Sequence, residues 1–328
     1  MASLKQARFG SVALQTLLAV IIVLAAVYLF FNAAANLQRS RIASGFGFLA
    51  RESGFEISET TFLTYDAADT YLKALAVGVL NTLRISFLAI VCSTFLGTAI
   101  GLMRLSSNWL IANLAAVYVE MLRNVPLVVQ LFFWYALITE SLPAPAAALS
   151  PFPGLFLSNR GFAFPAVIFQ APLTLDYPVL NGFNFTGGAL LSPEFTALFL
   201  GLSLYTAAFI AEIVRAGILA VDRGQSEAAH ALGHSQAQVI RFIVVPQALR
   251  LMVPPLTSQY LNCMKNSSLA VAIGYPDLVS IVNTAINQTG QAIEGIAIIM
   301  AVYLTISLSV SALMNGYNRR LARRGRTS

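Results

Sequence analysis

The sequence predicts an all-α polytopic membrane protein. Of its 328 residues, 57% are hydrophobic and only 10% are charged, and the mean hydropathy is +0.74. Soluble domains carry about a quarter charged residues, so this composition lies outside their range. Several uncharged runs approach the roughly 20 residues that a helix needs to cross a bilayer core of about 30 Å.

The first apolar run, Val12 to Phe31, follows the basic residues Lys5 and Arg8. A signal peptide would have an apolar core of only about 7 to 15 residues, and this run is longer. We therefore predict that residues 1–38 form a cytoplasmic N-terminus and an uncleaved transmembrane helix, with a cleaved signal peptide as the alternative. Residues 39–73 hold three arginines and five carboxylates, so we expect a periplasmic linker there.

The C-terminus carries a cluster of positive charge. Five arginines crowd the last ten residues directly after an apolar run: Arg319, Arg320, Arg323, Arg324 and Arg326. An excess of Arg and Lys beside a span marks its cytoplasmic side, where anionic lipid headgroups supply the counter-charge. Residues 319–328 are therefore predicted to be a basic cytoplasmic tail, and the net charge of +6 indicates membrane lipid rather than nucleic acid as the partner.

Working back from this tail gives six predicted spans with both termini cytoplasmic. After the N-terminal span, the chain is expected to cross at Arg84–Met103, Ala112–Thr139, Pro193–Ala220, Ile243–Asn262 and about 290–316. Tyr71 to Arg84 has amphipathic helical character and is predicted to lie at the membrane interface. The Pro- and Gly-rich loop 141–192 has only two charged residues and no span of its own, and we expect it to be periplasmic.

The span that begins at Ile243 is the most polar of the six. It contains Arg250, Pro254, Pro255, Gln259 and Asn262. Lipid cannot satisfy so many polar groups or the carbonyls that proline frees. We therefore predict that this helix is central, packed in protein or lining a watery cavity.

A charged stretch, EAAHALGHSQAQVIRFIVVP, lies between two spans, at Glu227 to Pro246. Asp222 with Gln225, Gly233, and Ser235 with Gln238 fit the caps of two short helices, the second of which Pro246 is expected to interrupt. The first helix is built mainly from small residues and can therefore enter a narrow groove in a partner. From these properties alone, an ordinary polar loop is an equally good interpretation.

The spacing of this stretch resembles the EAA loop of the permease subunits of ATP-binding-cassette (ABC) importers. The matching positions are Glu227, Ala228, Ala229, Gly233, Ile243 and Pro246. In that family, the loop is the coupling helix that docks into a cleft of the ATPase subunit. The resemblance therefore implies that residues 222–246 form the cytoplasmic coupling loop of this chain.

The resemblance covers most of the chain from about residue 74. RNVPLVVQLFFWY (Arg123 to Tyr135), YTAAFIAEIVRAGI (Tyr205 to Ile218) and KNSSLAVAIGYPDL (Lys265 to Leu278) resemble the polar amino acid permeases of the histidine-glutamine permease family. NQTGQAIE (Asn287 to Glu294) and the N-terminal extension resemble its general L-amino-acid and glutamate-glutamine-aspartate-asparagine members. Those members commonly carry extra hydrophobic segments where residues 141–192 have none, so the substrate range could differ.

The resemblance implies a type I (MetI-like) permease fold, with a five-helix core in residues 74–318 and one added N-terminal helix. It implies a bacterial inner-membrane subunit that imports polar L-amino acids and is not itself an enzyme. The implied partners are a periplasmic binding protein, an ATPase dimer carrying ATP and Mg, and a second permease chain, for which we expect a homologous chain, with a second copy of this chain as the alternative. An ion-coupled secondary transporter is the alternative.

Two charge pairs lie inside predicted spans at helical spacing, Glu120 with Arg123 and Glu212 with Arg215. Because a lone buried charge is expensive, we expect each pair to be its own ion pair, or to extend toward an interface. The functional alternative is contact with the ammonium or carboxylate of a substrate. Further candidates for the substrate pathway are Gln259 and Asn262 on the proline-containing span, for which polar contact between helices is an equal alternative. A polar patch near the outer mouth adds Lys265, Asn266 and Ser267.

The sequence shows no enzyme chemistry of its own. His230 and His234 are the only histidines and lie within the EAA stretch, so we expect no metal there. Cys92 and Cys263 are far apart in apolar sequence and indicate no disulfide framework. The phosphate-binding pattern G-x-x-x-x-G-K-[ST] does not occur, so ATP and Mg are expected on another chain.

Overall fold

The computed structural model describes residues 2–39, 45–168 and 174–324, and most of these are helical. The α-helices are α1 (Ala2–Arg39), α2 (Tyr71–Met103), α3 (Trp109–Asn124), α4 (Leu127–Ser141), α5 (Pro193–Leu219), α6 (Arg223–Ala231), α7 (Gln236–Val239), α8 (Val245–Asn266), α9 (Leu278–Thr289) and α10 (Ala292–Arg324). Shorter helical turns lie at Phe46–Ala50, Pro145–Ala147, Ile240–Val244 and Ser267–Ile273.

The predicted polytopic helical fold is confirmed. Four stretches of the described ranges are long and apolar enough to cross a bilayer: Tyr71–Met103, Pro193–Leu219, Gln236–Ile273 and Ala292–Asn318. Together α3 and α4 make a fifth crossing if they count as one bent span, and α1 carries a shorter apolar stretch. The six predicted spans thus correspond to four continuous helices, one bent pair and α1.

Tyr71 to Arg84, predicted to lie at the membrane interface, does not form a separate helix. This segment is the first part of the continuous helix α2, which Thr70 caps by accepting a hydrogen bond from the Lys73 amide. Its apolar face is buried against Ile57 and the helix α9. The amphipathic pattern was real, but protein covers the apolar face.

The predicted span Ala112–Thr139 is not one continuous helix, since α3 and α4 meet at an angle of 105°. Val125 is extended, with φ −91° and ψ 126°, because the residue before a proline avoids the helical region. Gln130 fills the bend, where its Nε2 donates to the carbonyl oxygens of Leu122 at 2.9 Å and Val125 at 3.0 Å. The freed carbonyls of the break are thereby satisfied within the protein.

The loop predicted at 141–192 contains a small β domain, which we call the β insert. Its strands are β1 (Leu149–Phe152), β2 (Leu155–Ser158), β3 (Gly161–Phe164), β4 (Ala166–Ile168), β5 (Thr174–Asp176), β6 (Val179–Asn181), β7 (Asn184–Thr186) and β8 (Ala189–Leu191). The antiparallel order β1-β2-β3-β8 makes one sheet, and β4-β5 and β6-β7 are hairpins. Strands of three or four residues are too short to show an alternating pattern, so the sequence did not reveal them.

The segment predicted as a linker packs on the helices in its described part, residues 45–70. Phe48 and Ile57 are buried. The Glu59 carboxylate accepts from Arg84 Nη1 of α2 at 3.1 Å and from the hydroxyl of Ser192, just before α5, at 2.6 Å. This segment therefore fastens the start of α5 to α2.

Close contact between α2 and α5 forms the centre of the bundle. A Cβ added to Gly97 would lie 2.7 Å from the carbonyl oxygen of Ala207, and one added to Gly101 would lie 2.7 Å from that of Ala211. Small residues permit this approach, as is usual between membrane helices.

The helix α5 also separates two regions at opposite ends of the bundle. Ser192 follows the β insert and caps the start of α5 by accepting from the Phe195 amide at 3.1 Å, whereas Asp222 follows its last turn and caps α6. A helix of 27 residues spans about 40 Å. We call these regions the insert end and the elbow end.

Candidate functional site

The elbow, residues 222–246, contains the two predicted helix caps. The Asp222 side chain accepts from the Gly224 amide at 2.8 Å, and Gly233 ends the first helix with φ +85°. The Ser235 amide donates to Gln238 Oε1 at 2.8 Å, and the Gln238 amide donates back to Ser235 Oγ at 3.4 Å. Both start signals and the stop signal are confirmed.

Pro246 does not interrupt the second helix, contrary to the prediction. A π turn at Ile240–Val244, in which the Val245 amide donates to the Ile240 carbonyl, joins α7 to α8 without a break. Such a widened turn accommodates the proline ring and its missing N–H. Gln236 to Ile273 is therefore one helical stretch of 38 residues.

The elbow has one buried face and one exposed face. Ala229 of α6 and Val239 of α7 are buried. Glu227, Ala228 and Gly233 are exposed, and Leu232 is 81% exposed at the end of α6. Ile243 and Pro246 are half-buried in the turn into α8. The exposed face thus offers an apolar side chain, a small helix surface and one carboxylate.

A groove of about 390 Å³ connects the elbow to the membrane helices. It is bounded by Ser226 of α6, Ile240 of the π turn, Leu102 of α2 and Ile218 of α5. The elbow therefore lies beside the ends of α2 and α5.

A second cavity, of about 250 Å³, lies between α5 and α8. It is lined by aromatic, hydroxyl and amide side chains and one thiol: Tyr205, Thr206, Phe209, Gln259, Asn262, Cys263 and Asn266. Three predicted pathway residues, Gln259, Asn262 and Asn266, thus meet at one site. The prediction that this helix packs in protein or lines a cavity is confirmed in part: α8 packs against α2, α5 and α10 and its amides line the cavity, but only 22% of the apolar window of Gln236–Ile273 is buried within this chain.

The two predicted charge pairs differ in the structure. Arg215 Nη2 lies 2.6 Å from Glu212 Oε1, as expected, and Arg104 at the end of α2 contacts the other oxygen of Glu212. Glu120 is exposed and forms no ion pair with Arg123.

Arg123 instead lies over an aromatic ring of α5. Its guanidinium is 5.0 Å from the ring centre of Phe209, where a cation–π contact stabilises it. Phe209 also lines the α5–α8 cavity, so one ring contacts Arg123 and contributes to the cavity lining. Glu212 and Arg215 do not line that cavity; with Arg104 they tie α2 to α5 near the elbow end.

Two further candidates lie apart from the cavity lining. Lys265 is exposed, and Ser267 is buried with its hydroxyl donating to the Met264 carbonyl at 2.7 Å. Ser267 thus satisfies its own helix end. His230 Nδ1 lies 3.1 Å from the carbonyl oxygen of His234, so this histidine contacts the end of its own short helix.

Sequence reasoning missed the long-range partners. Arg104 and the pair Arg84–Glu59 join residues far apart in the chain, for which local spacing gives no signal. Asp277 was visible within Lys265 to Leu278, but its role was not. It caps α9 by accepting from the Ser280 amide at 2.8 Å, and its burial raises the pKa of the carboxyl to about 7.

Comparison with protein families gives a match over most of the chain. The family described as "Binding-protein-dependent transport system inner membrane component" matches residues 89–326. A general L-amino acid transport system permease protein, AapQ of Rhizobium johnstonii, is 43% identical over 96% of this chain and 93% of its own. A glutamate/glutamine/aspartate/asparagine transport system permease protein, BztB of Rhodobacter capsulatus, is 36% identical over 95% and 93%.

Solved structures agree with this match. A crystal structure of an amino acid ABC transporter with histidines is 30% identical, covers 76% of this chain and 95% of its own, and gives a TM-score of 0.56. An inward-facing MetNI methionine ABC transporter, at 16% identity and a TM-score of 0.52, shares the fold. With its helical core, its elbow and these matches, the chain belongs to the family of inner-membrane components of binding-protein-dependent transport systems, the permease subunits of ABC importers.

Proposed function

We propose that this chain is the permease subunit of an ATP-driven importer of polar L-amino acids in the bacterial inner membrane. The observation that carries the proposal is the elbow: a capped helix pair with an exposed apolar and acidic face, joined without a break to the helix that lines the α5–α8 cavity. The relatives named as amino acid permeases support the class of cargo. No observation favours an ion-coupled transporter.

Coupling is the first part of the proposed mechanism. The face of α6 that carries Glu227, Ala228 and Leu232 docks into a cleft of the ATPase subunit, with the carboxylate directed to a basic residue there. Gly233 lets the chain turn tightly beyond that face, because its φ of +85° suits only glycine well. ATP and Mg belong to the ATPase dimer, and the chain itself makes and breaks no covalent bond.

Passage of the substrate is the second part. In the α5–α8 cavity, Gln259, Asn262 and Asn266 offer amide donors and acceptors, which can replace the hydration of a polar solute. Arg123 adds a positive field behind Phe209 and favours the carboxylate of an amino acid. Glu212, Arg215 and Arg104 act as a structural tie and not as substrate ligands.

The proposed assembly contains other chains. A periplasmic binding protein delivers the amino acid at the insert end, and both termini of this chain lie in the cytoplasm with the elbow. A homologous second permease completes the pathway. The apolar window of α10 is not buried within this chain, which leaves it free to meet lipid or that partner.

The proposal is tested on the elbow. Glu227→Lys in the assembled complex is expected to reduce amino acid uptake and substrate-stimulated ATPase activity together by at least about tenfold, because it sets like charges against each other at the docking face. Gly233→Leu should do the same through the strained backbone. Gln225→Lys is the matched control, since it lies about 200° around the same helix from Glu227.

Both activities are measured in proteoliposomes after co-purification shows that the subunits assemble. If both elbow variants assemble and keep full uptake and ATPase stimulation, the coupling role is wrong. Uptake of ions or sugars but of no amino acid would refute the class of cargo.

A further inference from the structure

A cleft of about 440 Å³ opens at the insert end of the molecule. Residues 58–61 form one side, and the strands β2, β3 and β7 form the other. Its volume falls within the usual range for small-molecule sites, about 300 to 1,000 Å³. It is separate from the α5–α8 cavity, because Ser192 at the cleft and Tyr205 at the cavity are 13 residues apart on α5, or about 20 Å.

The cleft presents a positive and a negative side chain. Arg160 is exposed, and its Nη1 donates to Asn184 Oδ1 at 2.8 Å, which fixes the guanidinium with most of its five N–H groups still available. Glu59 is 8% exposed, and its carboxylate accepts from Ser192 and Arg84. A carboxylate has about four acceptor positions, and Arg84 and Ser192 occupy two of them, so Glu59 can accept from a further donor.

The rest of the lining separates into a polar and an apolar part. The hydroxyls of Ser58, Thr60 and Thr61 lie along one side, and Phe162, Leu190 and Leu191 supply an apolar wall. A ligand that fits this arrangement carries a carboxylate, an ammonium and a side chain on one small frame.

We propose that this cleft binds a free α-amino acid, with its carboxylate on Arg160 and its ammonium on Glu59. The site lies outside the bundle's internal cavity, so the chain would hold its cargo at two separate positions. This inference rests on the proposed function only for the class of ligand. A molecule with the carboxylate alone or the amine alone satisfies half of the site and binds more weakly.

The test is equilibrium binding of radiolabelled L-glutamine to the assembled complex in nanodiscs, without any binding protein. We expect two classes of saturable site. Arg160→Gln should weaken one class by roughly tenfold to hundredfold, as expected for the loss of hydrogen bonds to a charged group, and leave the other unchanged. Leu190→Trp, which fills the cleft from an exposed position, should remove the same class.

Arg51→Gln is the matched control. Arg51 is exposed, as Arg160 is, but it does not line the cleft, so the loss of its charge should change neither class of site. Competition by glutaramate, which lacks the ammonium, and by 4-aminobutanamide, which lacks the carboxylate, should each be at least about tenfold weaker than by L-glutamine. Equal competition by either analogue overturns the assignment of the two charges.

An isotherm that is identical in wild type, Arg160→Gln and Leu190→Trp overturns the site itself. ATP-driven uptake in the same complexes, with binding protein added, keeps the two proposals apart. A wild-type complex that imports no amino acid refutes the importer, whereas the cleft is judged on the binding isotherm alone.

Discussion

The elbow end and the insert end of α5 are built in opposite ways. At the elbow end, bonds between residues two to four apart shape α6 and α7, and most of their side chains are exposed. At the insert end, Glu59, Arg84 and Ser192 come from three distant segments and are held together by one carboxylate. The comparison indicates that one end keeps its shape while making few contacts, and that the other fixes how the helices are arranged.

The largest effect is expected from breaking the insert end. Arg84→Met leaves the nearly buried Glu59 without its cation, which typically costs about 3 to 5 kcal/mol of folding free energy. The thermal unfolding midpoint of the purified permease should fall sharply. Lys73→Met, which breaks the more exposed pair with Asp69, is the control and should have only a small part of this effect. Equal shifts in the two variants would show that the Glu59 junction does not hold this end.

A smaller effect is expected midway between the ends. Gly97→Leu forces a side chain against the Ala207 carbonyl, which a Cβ alone would approach to 2.7 Å. Overpacking of this kind typically costs about 1 to 3 kcal/mol, and the same unfolding measurement reports it. Gly316→Ala in α10 is the control, since no atom lies within 4 Å of its added Cβ. A Gly97 variant as stable as wild type would mean that α2 and α5 are not in close contact.

The smallest effect is expected at the elbow end. Ser235→Ala removes the capping box and should cost about 1 kcal/mol, confined to the start of α7. Hydrogen exchange of the amides of residues 236–240 should become roughly fivefold faster, while exchange in α5 stays unchanged. Faster exchange across α5 as well would show that the two ends do not behave independently.

The elbow could be predicted from sequence because its structure is local. The caps Asp222 and Ser235 and the stop at Gly233 each act over a few residues, so their spacing is visible in the chain. Pro246 misled the prediction, because a π turn removes the conflict that a proline creates in a regular helix.

The insert end and the substrate cavity could be predicted only in part. Gln259 and Asn262 were recognisable as costly polar groups in a span, yet their meeting with Phe209 depends on how α5 and α8 pack. The spacing of Glu120 and Arg123 is that of an ion pair on a helix. Arg123 instead contacts the ring of Phe209, which lies 86 residues further along the chain and gives no signal in the local spacing. The short strands of the β insert depend on pairing with other strands, and the residue pattern within one strand does not show this pairing.

One continuous helical stretch, from α7 through the π turn into α8, connects the elbow to the wall of the α5–α8 cavity. Asn262 lies 22 residues beyond Ile240 on the same stretch, or about 33 Å along its axis. A tilt of about 5° at the elbow would displace the amide-lined wall by about 3 Å, roughly the diameter of a water molecule. In the proposed coupling, an ATPase subunit that contacts only the elbow can therefore change the width of a cavity whose lining it does not touch.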